Sequence, residues 1–390
     1  MIETNFKHTD IGVIPHDWEV KKLGAIYSFR YGIGNTNPNN GGKYPIYGAN
    51  GVIGGYSKYN AEDSIVIGHM GEYAGSVLWA EGKHFVTYNG TITRPKEENS
   101  INAKYGFYAL LKLNINNICA GSGYPFLAYD KLNSLKIPLP PTLAEQEKIA
   151  NALSKIDQLI NDLGALIEKK KAIKQGTMQD LLTAKRRLKG FTGEWNSVKL
   201  GDMCYFGKGK GLKKEYLTDN GRYKCILYGE IFTKYDSIIK SVVSRTNIEE
   251  GTYSQKGDVL MPGSTTTLGI DLVKAVVINE NDVLLGGDVI ILRPKENQIS
   301  SEFLAYLISN IDRNNVADVT QGITIIHLHA KNMTDIAYLI PPTLAEQNAI
   351  ANILSSMDTE ITNLEQKRDK YIAIKQGMMQ NLLTGKIRLI

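Results

Sequence analysis

Residues 140–188 read PPTLAEQEKIANALSKIDQLINDLGALIEKKKAIKQGTMQDLLTAKRRL, and residues 341–389 read PPTLAEQNAIANILSSMDTEITNLEQKRDKYIAIKQGMMQNLLTGKIRL. About 29 of the 49 aligned positions are identical, without a gap, at a constant offset of 201 (341 minus 140). A repeat of this length indicates a duplicated structural element. The two copies therefore define the frame around which the rest of the chain is organised.

Each copy is predicted to form one long helix. Thr142 and Thr343 are each followed three residues later by a glutamate, which is the spacing of a capping box at a helix start. Only glycine interrupts the following stretch of about 40 residues, so each helix would be about 60 Å long. We therefore interpret Glu145 and Glu346 as helix-start residues rather than as catalytic groups.

Apolar residues recur in each copy at alternating spacings of four and three, the pattern of a coiled-coil seam. The seam residues are Ile149, Leu153, Ile156, Ile160 and Leu163 in the first copy and Ile350, Leu354, Met357, Ile361 and Leu364 in the second. Because a narrow apolar stripe is unfavourable in water, we predict that the two helices pack on each other within the chain, antiparallel and with pseudo-twofold symmetry.

The segments before the two helices share only short matches. WEVKKLG from Trp18 matches WNSVKLG from Trp195 at an offset of 177, and RPKE from Arg94 matches RPKE from Arg293 at an offset of 199. The second segment therefore carries about 22 extra residues between these matches (199 minus 177). One nearly copied part and one divergent part indicate a shared task and a task that differs between the halves.

The divergent segments are predicted to be mixed α/β domains, 1–140 and 189–340, followed by long helices within 141–188 and 341–390. Predicted strands are 64–67, 77–79, 258–261 and 288–292, with closing strands at 135–139 and 336–340. One amphipathic helix is predicted in each domain, at 103–113 and 302–311.

Composition excludes few functions. The chain has 390 residues, 43% of them apolar and 22% charged, with a formal net charge of +5, which permits a phosphate-rich partner without requiring one. Cys119, Cys204 and Cys225 lack the short paired spacing of a zinc site or disulfide framework. With neither a signal-peptide pattern nor an apolar run of about 18 residues, the protein is predicted to be cytoplasmic.

Loops in both domains are rich in side chains that bind phosphates or bases. The candidate DNA contacts are Arg30, Asn35, Asn37, Lys43, Tyr44, Asn50 and Lys58 in the first domain and Lys208, Lys210, Lys213, Lys214 and Arg222 in the second. Ordinary polar loops with surface tyrosines are the alternative interpretation.

Two further patterns have the composition of a nucleotide-binding loop or a metal site. The glycine-rich segment 205–211 lacks the Gly-Lys-Ser/Thr of a P-loop and the strand-to-helix context of a dinucleotide site, so we interpret it as a basic turn. His327 and His329 have no cysteine or acidic cluster beside them, so no metal site is predicted.

The duplicated PPTLAEQ segments, each ending in KQG-x-MQ-x-LLT, resemble the specificity subunit of type I restriction-modification systems, as do the entry segments IGVIPHDWEVKKLG and LKGFTGEWNSVKLG. The resemblance covers essentially the whole chain. It implies two target-recognition domains, each reading one half of a bipartite DNA site, and two helices that set the spacing and bind two methylation subunits. Since the two domains are unlike, the site is expected to be asymmetric.

The resemblance also implies that this prokaryotic, cytoplasmic chain is not itself an enzyme. Adenine-N6 methylation and DNA cleavage would belong to methylation and restriction subunits, which would carry S-adenosylmethionine, magnesium and ATP. Neither proline pair is part of the Asp/Asn-Pro-Pro-Tyr/Phe motif of an amino-methyltransferase. Two alternatives stay open: a related restriction system whose partner combines methylation and cleavage, and a coiled-coil tether of modules that do not bind DNA.

Overall fold

A computed structural model of the protein describes residues 5–34, 37–121, 123–311 and 313–390. By its internal contacts the chain divides into two compact units: unit 1 is Met1–Gly164 with Gln366–Ile390, and unit 2 is Ala165–Glu365. Each unit therefore contains one mixed α/β part and the first half of the long helix that follows it in the chain. It also contains the second half of the other long helix.

Unit 1 begins with three short strands and a six-stranded sheet. Its strands are β1 (Phe6–Thr9), β2 (Gly12–Pro15), β3 (Glu19–Lys22), β4 (Tyr27–Tyr31), β5 (Tyr44–Gly48), β6 (Gly51–Tyr56), β7 (Ala61–Gly68), β8 (Val77–Val86), β9 (Gly90–Pro95) and β10 (Lys136–Leu139). Its helices are α1 (Leu23–Ile26), α2 (Ala103–Lys112), α3 (Tyr129–Ser134) and the first part of α4 (Leu143–Leu182), with a 3₁₀ turn at Ile115–Ile118.

The main sheet of unit 1 has the order β4-β9-β7-β8-β5-β6. All its pairs are antiparallel except β5 with β8, which is parallel. Separate antiparallel pairs join β1 to β2 and β10 to β3. The second of these pairs returns the chain to the start of the unit just before α4 begins.

Unit 2 has more and shorter strands. They are β11 (Asn196–Lys199), β12 (Cys204–Lys208), β13 (Tyr223–Ile226), β14 (Ile238–Ile239), β15 (Ser244–Thr246), β16 (Thr252–Tyr253), β17 (Asp258–Pro262), β18 (Ser264–Thr265), β19 (Val276–Ile278), β20 (Leu284–Leu285), β21 (Val289–Pro294), β22 (Ile326–His327) and β23 (Ala337–Ile340). Its helices are α5 (Leu200–Met203), α6 (Tyr228–Thr233), α7 (Ser301–Asn310), α8 (Arg313–Ala317) and the first part of α9 (Leu344–Leu382), with 3₁₀ turns at Lys214–Tyr216, Gly269–Leu272 and Ala330–Met333.

The sheets of unit 2 have the orders β12-β21-β17-β19-β14 and β15-β13-β20-β16. The pairings match those of unit 1: β12 with β21 corresponds to β4 with β9, and the parallel pair β13 with β20 corresponds to β5 with β8. Antiparallel β11 and β23 close this unit as β3 and β10 close the other.

The extra residues predicted for the second domain lie mainly between β13 and β17. The corresponding connection in unit 1 is only the β5–β6 hairpin and the turn to β7. In unit 2 this connection holds α6, β14, β15 and β16. The shared frame of the two units thus carries an insertion in one of them.

The core of each unit is where its sheet, its amphipathic helix and its long-helix segments meet. In unit 1, Trp18, Tyr27 and Tyr105 pack with residues of both long helices, including Ile149 and Leu382. In unit 2, the corresponding cluster contains Phe303 and Tyr306 together with Leu354 and Met178 among others. Burial of these large side chains holds the helix segments to the α/β part, at roughly 25 cal/mol for each Å² of apolar surface buried.

The predicted elements are found where the sequence placed them. The strand predictions 64–67, 77–79 and 258–261 fall in β7, β8 and β17, and the closing strands are β10 and β23. The predicted strand 288–292 begins one residue later, because residue 288 lies in the turn before β21. The two long helices are continuous over 40 and 39 residues. No helix in the described ranges is long and apolar enough to cross a membrane.

Candidate nucleic-acid interface and its supporting helices

A glutamine in each repeat fixes the start of the long helix to the α/β part. Gln146 Nε2 donates to the Pro140 carbonyl oxygen at 3.0 Å, and Gln146 Oε1 accepts from the Asn102 backbone N–H at 2.8 Å. Gln347 repeats this with Pro341 at 3.1 Å and Ser300 at 2.8 Å. Asn102 and Ser300 are the N-caps of α2 and α7, so one side chain couples two helix starts.

The predicted capping box forms only by its threonine half. Thr142 Oγ1 accepts from the Glu145 backbone N–H at 3.2 Å, and Thr343 does the same for Glu346 at 3.3 Å. The glutamate carboxylates point elsewhere and bind arginines from the end of the other repeat. Both glutamates lie in the first turn of their helices, as predicted, but the spacing alone does not reveal a partner distant in sequence.

These two buried Glu–Arg pairs fix the antiparallel arrangement within each unit. In unit 2, Arg187 Nε and a second guanidinium nitrogen donate to the two Glu346 carboxylate oxygens at 2.9 and 2.8 Å. In unit 1, Arg388 makes the same bidentate contact with Glu145 and also binds both oxygens of Asp17, lowering the pKa of that carboxyl. The glutamate side chains are only 3% and 1% exposed.

A second repeated contact lies further along each long helix. In unit 1, Asp157 accepts from the Tyr108 hydroxyl at 2.7 Å and forms an ion pair with Lys375 at 2.6 Å. In unit 2, Asp358 accepts from Tyr306 at 2.7 Å and pairs with Lys174. Each lysine comes from the KQG motif and each aspartate from the other helix. The identical residues of the repeats therefore bind each other across the helix pair.

The predicted seam residues are not all equally buried. Ile149, Leu153, Ile156 and Leu163 are buried in the first helix and Ile350, Leu354 and Ile361 in the second, whereas Ile160, Met357 and Leu364 are half-buried. The residues nearest each helix start also pack against α2 or α7 and their cores. The seam residues therefore serve both helix–helix and helix–domain packing.

We expect Lys375→Ala to lower the free energy of unfolding by about 1 kcal/mol, since Asp157 then keeps only its tyrosine partner. Lys370→Ala on the exposed side of the same helix is the matched control. Urea denaturation of Lys375→Ala, of Asp157→Ala and of the variant that carries both changes would give the coupling energy between the two residues. Additive losses would contradict a direct Asp157–Lys375 interaction.

In unit 1 the strand that leads into the candidate DNA loop ends in an aromatic cluster. The Tyr31 ring stacks on Tyr129 with centroids 4.1 Å apart and lies 3.8 Å from His69. The Tyr129 hydroxyl accepts from the Tyr31 backbone N–H at 2.6 Å, and burial raises its pKa to about 12. Burial lowers the pKa of His69, which favours a neutral ring at neutral pH. The cluster thus gives the loop a rigid base.

In the described part of this loop, two asparagine side chains bind the backbone of β6. Asn37 donates to the Ile53 carbonyl oxygen at 3.1 Å, and the Asn39 side chain accepts from the Gly55 backbone N–H at 3.0 Å. Asn37 is therefore partly engaged in shaping the loop. Arg30 donates to the Asn60 carbonyl oxygen at 3.3 Å and stays exposed.

The other predicted contacts of the first domain that the structure describes lie on the β5–β6 hairpin, at the edge of the sheet opposite β4, with Asn50 in its turn and the others at its open end. Lys43, Asn50 and Lys58 are exposed, and Tyr44 is half-buried with the Lys43 ammonium 5.0 Å from its ring centroid. The Tyr59 ring contacts the Tyr44 ring in a tilted arrangement with centroids 5.1 Å apart and belongs to the same surface. Asn35 lies outside the described residues. Cationic and aromatic side chains together suit contacts with phosphates and bases.

In unit 2 the corresponding strand opens onto a cleft of about 780 Å³, which we call the lysine cleft. Its rim carries Lys208, Lys213, Lys214, Lys234 and Tyr228, and its apolar lining includes Leu212, Leu217 and Leu227. The insertion contributes Tyr228 and Lys234. Neither residue was singled out from the sequence, because only the fold brings α6 opposite the segment that follows β12.

The predicted lysines differ in their partners. Lys208 pairs with Asp288 at 3.2 Å and Lys213 with Glu215 at 3.6 Å. Lys210 and Lys214 are exposed, and Arg222 covers the Tyr223 ring with its guanidinium carbon 5.4 Å from the centroid. The rim therefore carries several lysines, and three of them, Lys208, Lys213 and Lys234, are held in place by carboxylates, the last by Glu230 at 2.6 Å.

The glycine-rich segment is part of this cleft rather than a nucleotide loop. A side chain at Gly209 would place its Cβ atom 1.9 Å from the Gly286 carbonyl oxygen, and one at Gly32 in unit 1 would lie 2.1 Å from the Thr87 oxygen. Glycine is required because two backbone segments touch at this point in both units. The interpretation of the whole segment as a basic turn is wrong for residues 205–208, which form strand β12 paired with β21; only residues 209–211 leave the strand.

The two histidines lie beside each other without further ligands. The rings of His327 and His329 are 6.2 Å apart and nearly parallel. In the part of the chain that the structure describes, no group of three histidine, cysteine, aspartate or glutamate side chains is arranged to hold a metal ion.

Comparison with known proteins identifies the family. The model for the type I restriction modification DNA specificity domain matches residues 15–175 and 192–373, which is most of the chain and one match for each half. The type I restriction enzyme MjaVIII specificity subunit of Methanocaldococcus jannaschii is 26% identical, with 99% of this chain and 97% of that protein aligned.

Solved structures have the same fold. The type I restriction-modification S subunit of M. genitalium superposes with a TM-score of 0.70 at 17% identity, covering 98% of this chain and 97% of that one. A chain from work on complex assembly and conformational transition of the type I R-M system gives a TM-score of 0.53 at 14% identity, covering 96% and 99%. With two family matches in one duplicated frame, this chain belongs to the type I restriction-modification DNA specificity family.

Proposed function

We propose that this protein is the subunit that reads the DNA target of a type I restriction-modification complex, with each unit reading one half of a bipartite site. The observation that carries the proposal is the pairing of one repeated framework with two unlike polar surfaces. The framework consists of the Glu–Arg and Asp–Lys contacts. The surfaces are the asparagine-containing loop that follows the Tyr31 aromatic cluster in unit 1 and the lysine cleft in unit 2.

The unlike surfaces support an asymmetric target. Phosphate contacts by lysine and arginine position a protein on a duplex, and contacts to base edges specify the sequence. Unit 1 offers asparagine and tyrosine beside few cations, whereas unit 2 offers a cationic rim. Two surfaces of different chemistry would read different half-sites, and the helices that continue from one unit into the other would set their spacing.

The proposal assigns the chemistry to other chains. Methylation subunits using S-adenosylmethionine would dock on the helical repeats, and restriction subunits using ATP and magnesium would join them. The M. jannaschii relative is a subunit of a restriction enzyme, which supports such an assembly. This chain would then supply recognition and no reacting group of its own.

The decisive experiment is co-expression with the methylation subunit of the same system, followed by single-molecule sequencing of host DNA for N6-methyladenine. We expect methylation at one two-part asymmetric motif that disappears when this chain is omitted. Replacing residues 189–340 by the corresponding domain of another family member should change one half of the motif and leave the other half and the spacing intact.

The outcomes separate the candidate functions. A change in both halves after the domain exchange would contradict reading by separate units. A stable complex that binds DNA without sequence preference would contradict the specificity role. Absence of any salt-sensitive DNA binding by the assembled complex would favour a coiled-coil tether of modules with other ligands.

A further inference from the structure

Each unit has a small hairpin shortly before its closing strand, β10 or β23, and the same pair of backbone hydrogen bonds closes both hairpins. In hairpin 1, residues 120–126, the backbone N–H groups of Ala120 and Phe126 each donate to the other residue's carbonyl oxygen, at 2.9 and 2.8 Å. In hairpin 2, residues 321–327, Gln321 and His327 do the same at 2.8 and 2.7 Å. Ser122 of hairpin 1 lies outside the described residues.

The hairpins are anchored in the same way. The Leu127 backbone N–H donates to the His69 carbonyl oxygen at 2.8 Å in unit 1, and Leu328 donates to Gly263 at 2.9 Å in unit 2. Both leucines are buried. Each acceptor follows directly after β7 or β17, so both hairpins lie at the equivalent end of the main sheet.

The tips of the hairpins are apolar and point into solvent. Ile323 is 98% exposed and Ile325 49% exposed in hairpin 2, and Tyr124 is 61% exposed in hairpin 1. Isolated apolar residues are common on surfaces, but here they occupy a rigidly anchored hairpin in both units. Tyr124 corresponds to Ile325 at the offset of 201, so one tip carries an aromatic side chain where the other carries an aliphatic one.

Each tip lies beside the candidate DNA surface of its own unit. Ser264 pairs with His327 at the base of hairpin 2, and its hydroxyl donates to Asp288, which holds Lys208 at 3.2 Å. In unit 1, the His69 carbonyl oxygen anchors hairpin 1, and the His69 ring contacts the ring of Tyr31, the residue that corresponds to Lys208 at the offset of 177. The cationic rim next to hairpin 2 favours a polyanionic partner over an apolar protein surface.

We propose that the two hairpin tips contact the bases of the two half-sites, with Tyr124 acting in unit 1 and Ile323 in unit 2. This inference rests on the proposed function and names the specificity-determining residues within it. Apolar side chains discriminate sequence by contact with a thymine methyl group or by insertion at a deformable base step. Neighbouring lysines would bind the backbone phosphates at the same time.

The test compares Ile323→Ser with Val243→Ser in the complex assembled with methylation subunits. Val243 is 59% exposed in the same unit but outside the hairpin, so it is a matched control. We expect Ile323→Ser to weaken binding of a duplex that contains the target motif, as identified by methylation sequencing, about tenfold, because an apolar contact is lost. Binding of a scrambled duplex should not change, because phosphate contacts determine it. Val243→Ser should affect neither duplex.

A second variant tests the other unit independently. Tyr124→Ser should relax the methylation motif in one half only, and Ile323→Ser should relax the other half, whereas Phe6→Ser, at an exposed site in unit 1, should leave the motif unchanged. If the wild-type complex has no sequence-specific binding, the proposed function fails. If the wild type is specific and both hairpin variants keep its affinity and motif, the hairpin proposal is overturned while the function stands.

Discussion

Replacing Lys208, Lys210, Lys213 and Lys214 together by glutamine should lower the DNA affinity of the assembled complex by about 10²- to 10³-fold at physiological salt. All four lysines are exposed, and they lie on and beside the rim of the lysine cleft. Each lysine that neutralises a phosphate releases counterions, which contributes about 0.9 to the slope of log affinity against log salt. Loss of all four contacts should reduce that slope by about 3.6.

The measurement is anisotropy of a labelled duplex over a salt series, with a control that has the same net charge. Glutamine at Lys185, Lys189, Lys240 and Lys256 removes four exposed lysines of unit 2 that lie outside the cleft. The control complex should keep the wild-type slope. An equal loss in both variants would show that only overall charge matters, and the lysine cleft would then not be a DNA-binding surface.

Arg388→Ala should lower the free energy of unfolding by about 3 kcal/mol, the typical cost of leaving a buried charge without its partner. Glu145 is 3% exposed and loses its bidentate contact, while Asp17 loses the group that lowers its pKa. The segment after α9 would no longer be tied to the start of α4 within unit 1. Assembly with methylation subunits should weaken for the same reason.

Thermal and urea denaturation of the purified complex check this expectation. Arg368→Ala removes an arginine of α9 whose carboxylate partner, Asp369, is adjacent in sequence and exposed, and it should cost well under 1 kcal/mol. Adding Glu145→Gln to Arg388→Ala should restore part of the stability, because the uncompensated charge is removed. If Arg388→Ala unfolds like Arg368→Ala, the buried pair does not stabilise unit 1.

Much of the framework was predictable because it depends on local and periodic signals. Thr142 and Thr343 mark the helix starts, the four–three spacing marks the buried face, and alternating short strands mark the mixed domains. Identity between the repeats also carries information about tertiary contacts. Asp157 and Lys375 are each identical to their counterparts in the other copy, and polar identities on a helix surface signal a partner.

The binding surfaces were less predictable. Residue type and loop position correctly placed Lys43, Lys58, Lys210 and Lys214 on exposed surface, but they did not show that Asn37 is engaged within its own loop or that Lys208 is held by Asp288. Tyr228 and Lys234 were missed because their position depends on how the insertion folds back. Which of these groups binds DNA stays a prediction.

The sequence by itself determined the duplication, the two long helices, the family and the division between a shared framework and divergent domains, since these follow from periodicity and from comparison of the chain with itself. The tertiary structure alone decided which charges meet: Glu145 with Arg388, Asp157 with Lys375 and Lys208 with Asp288. Such pairs join residues up to 243 positions apart, and packing of the whole unit, rather than any local pattern, brings their side chains together.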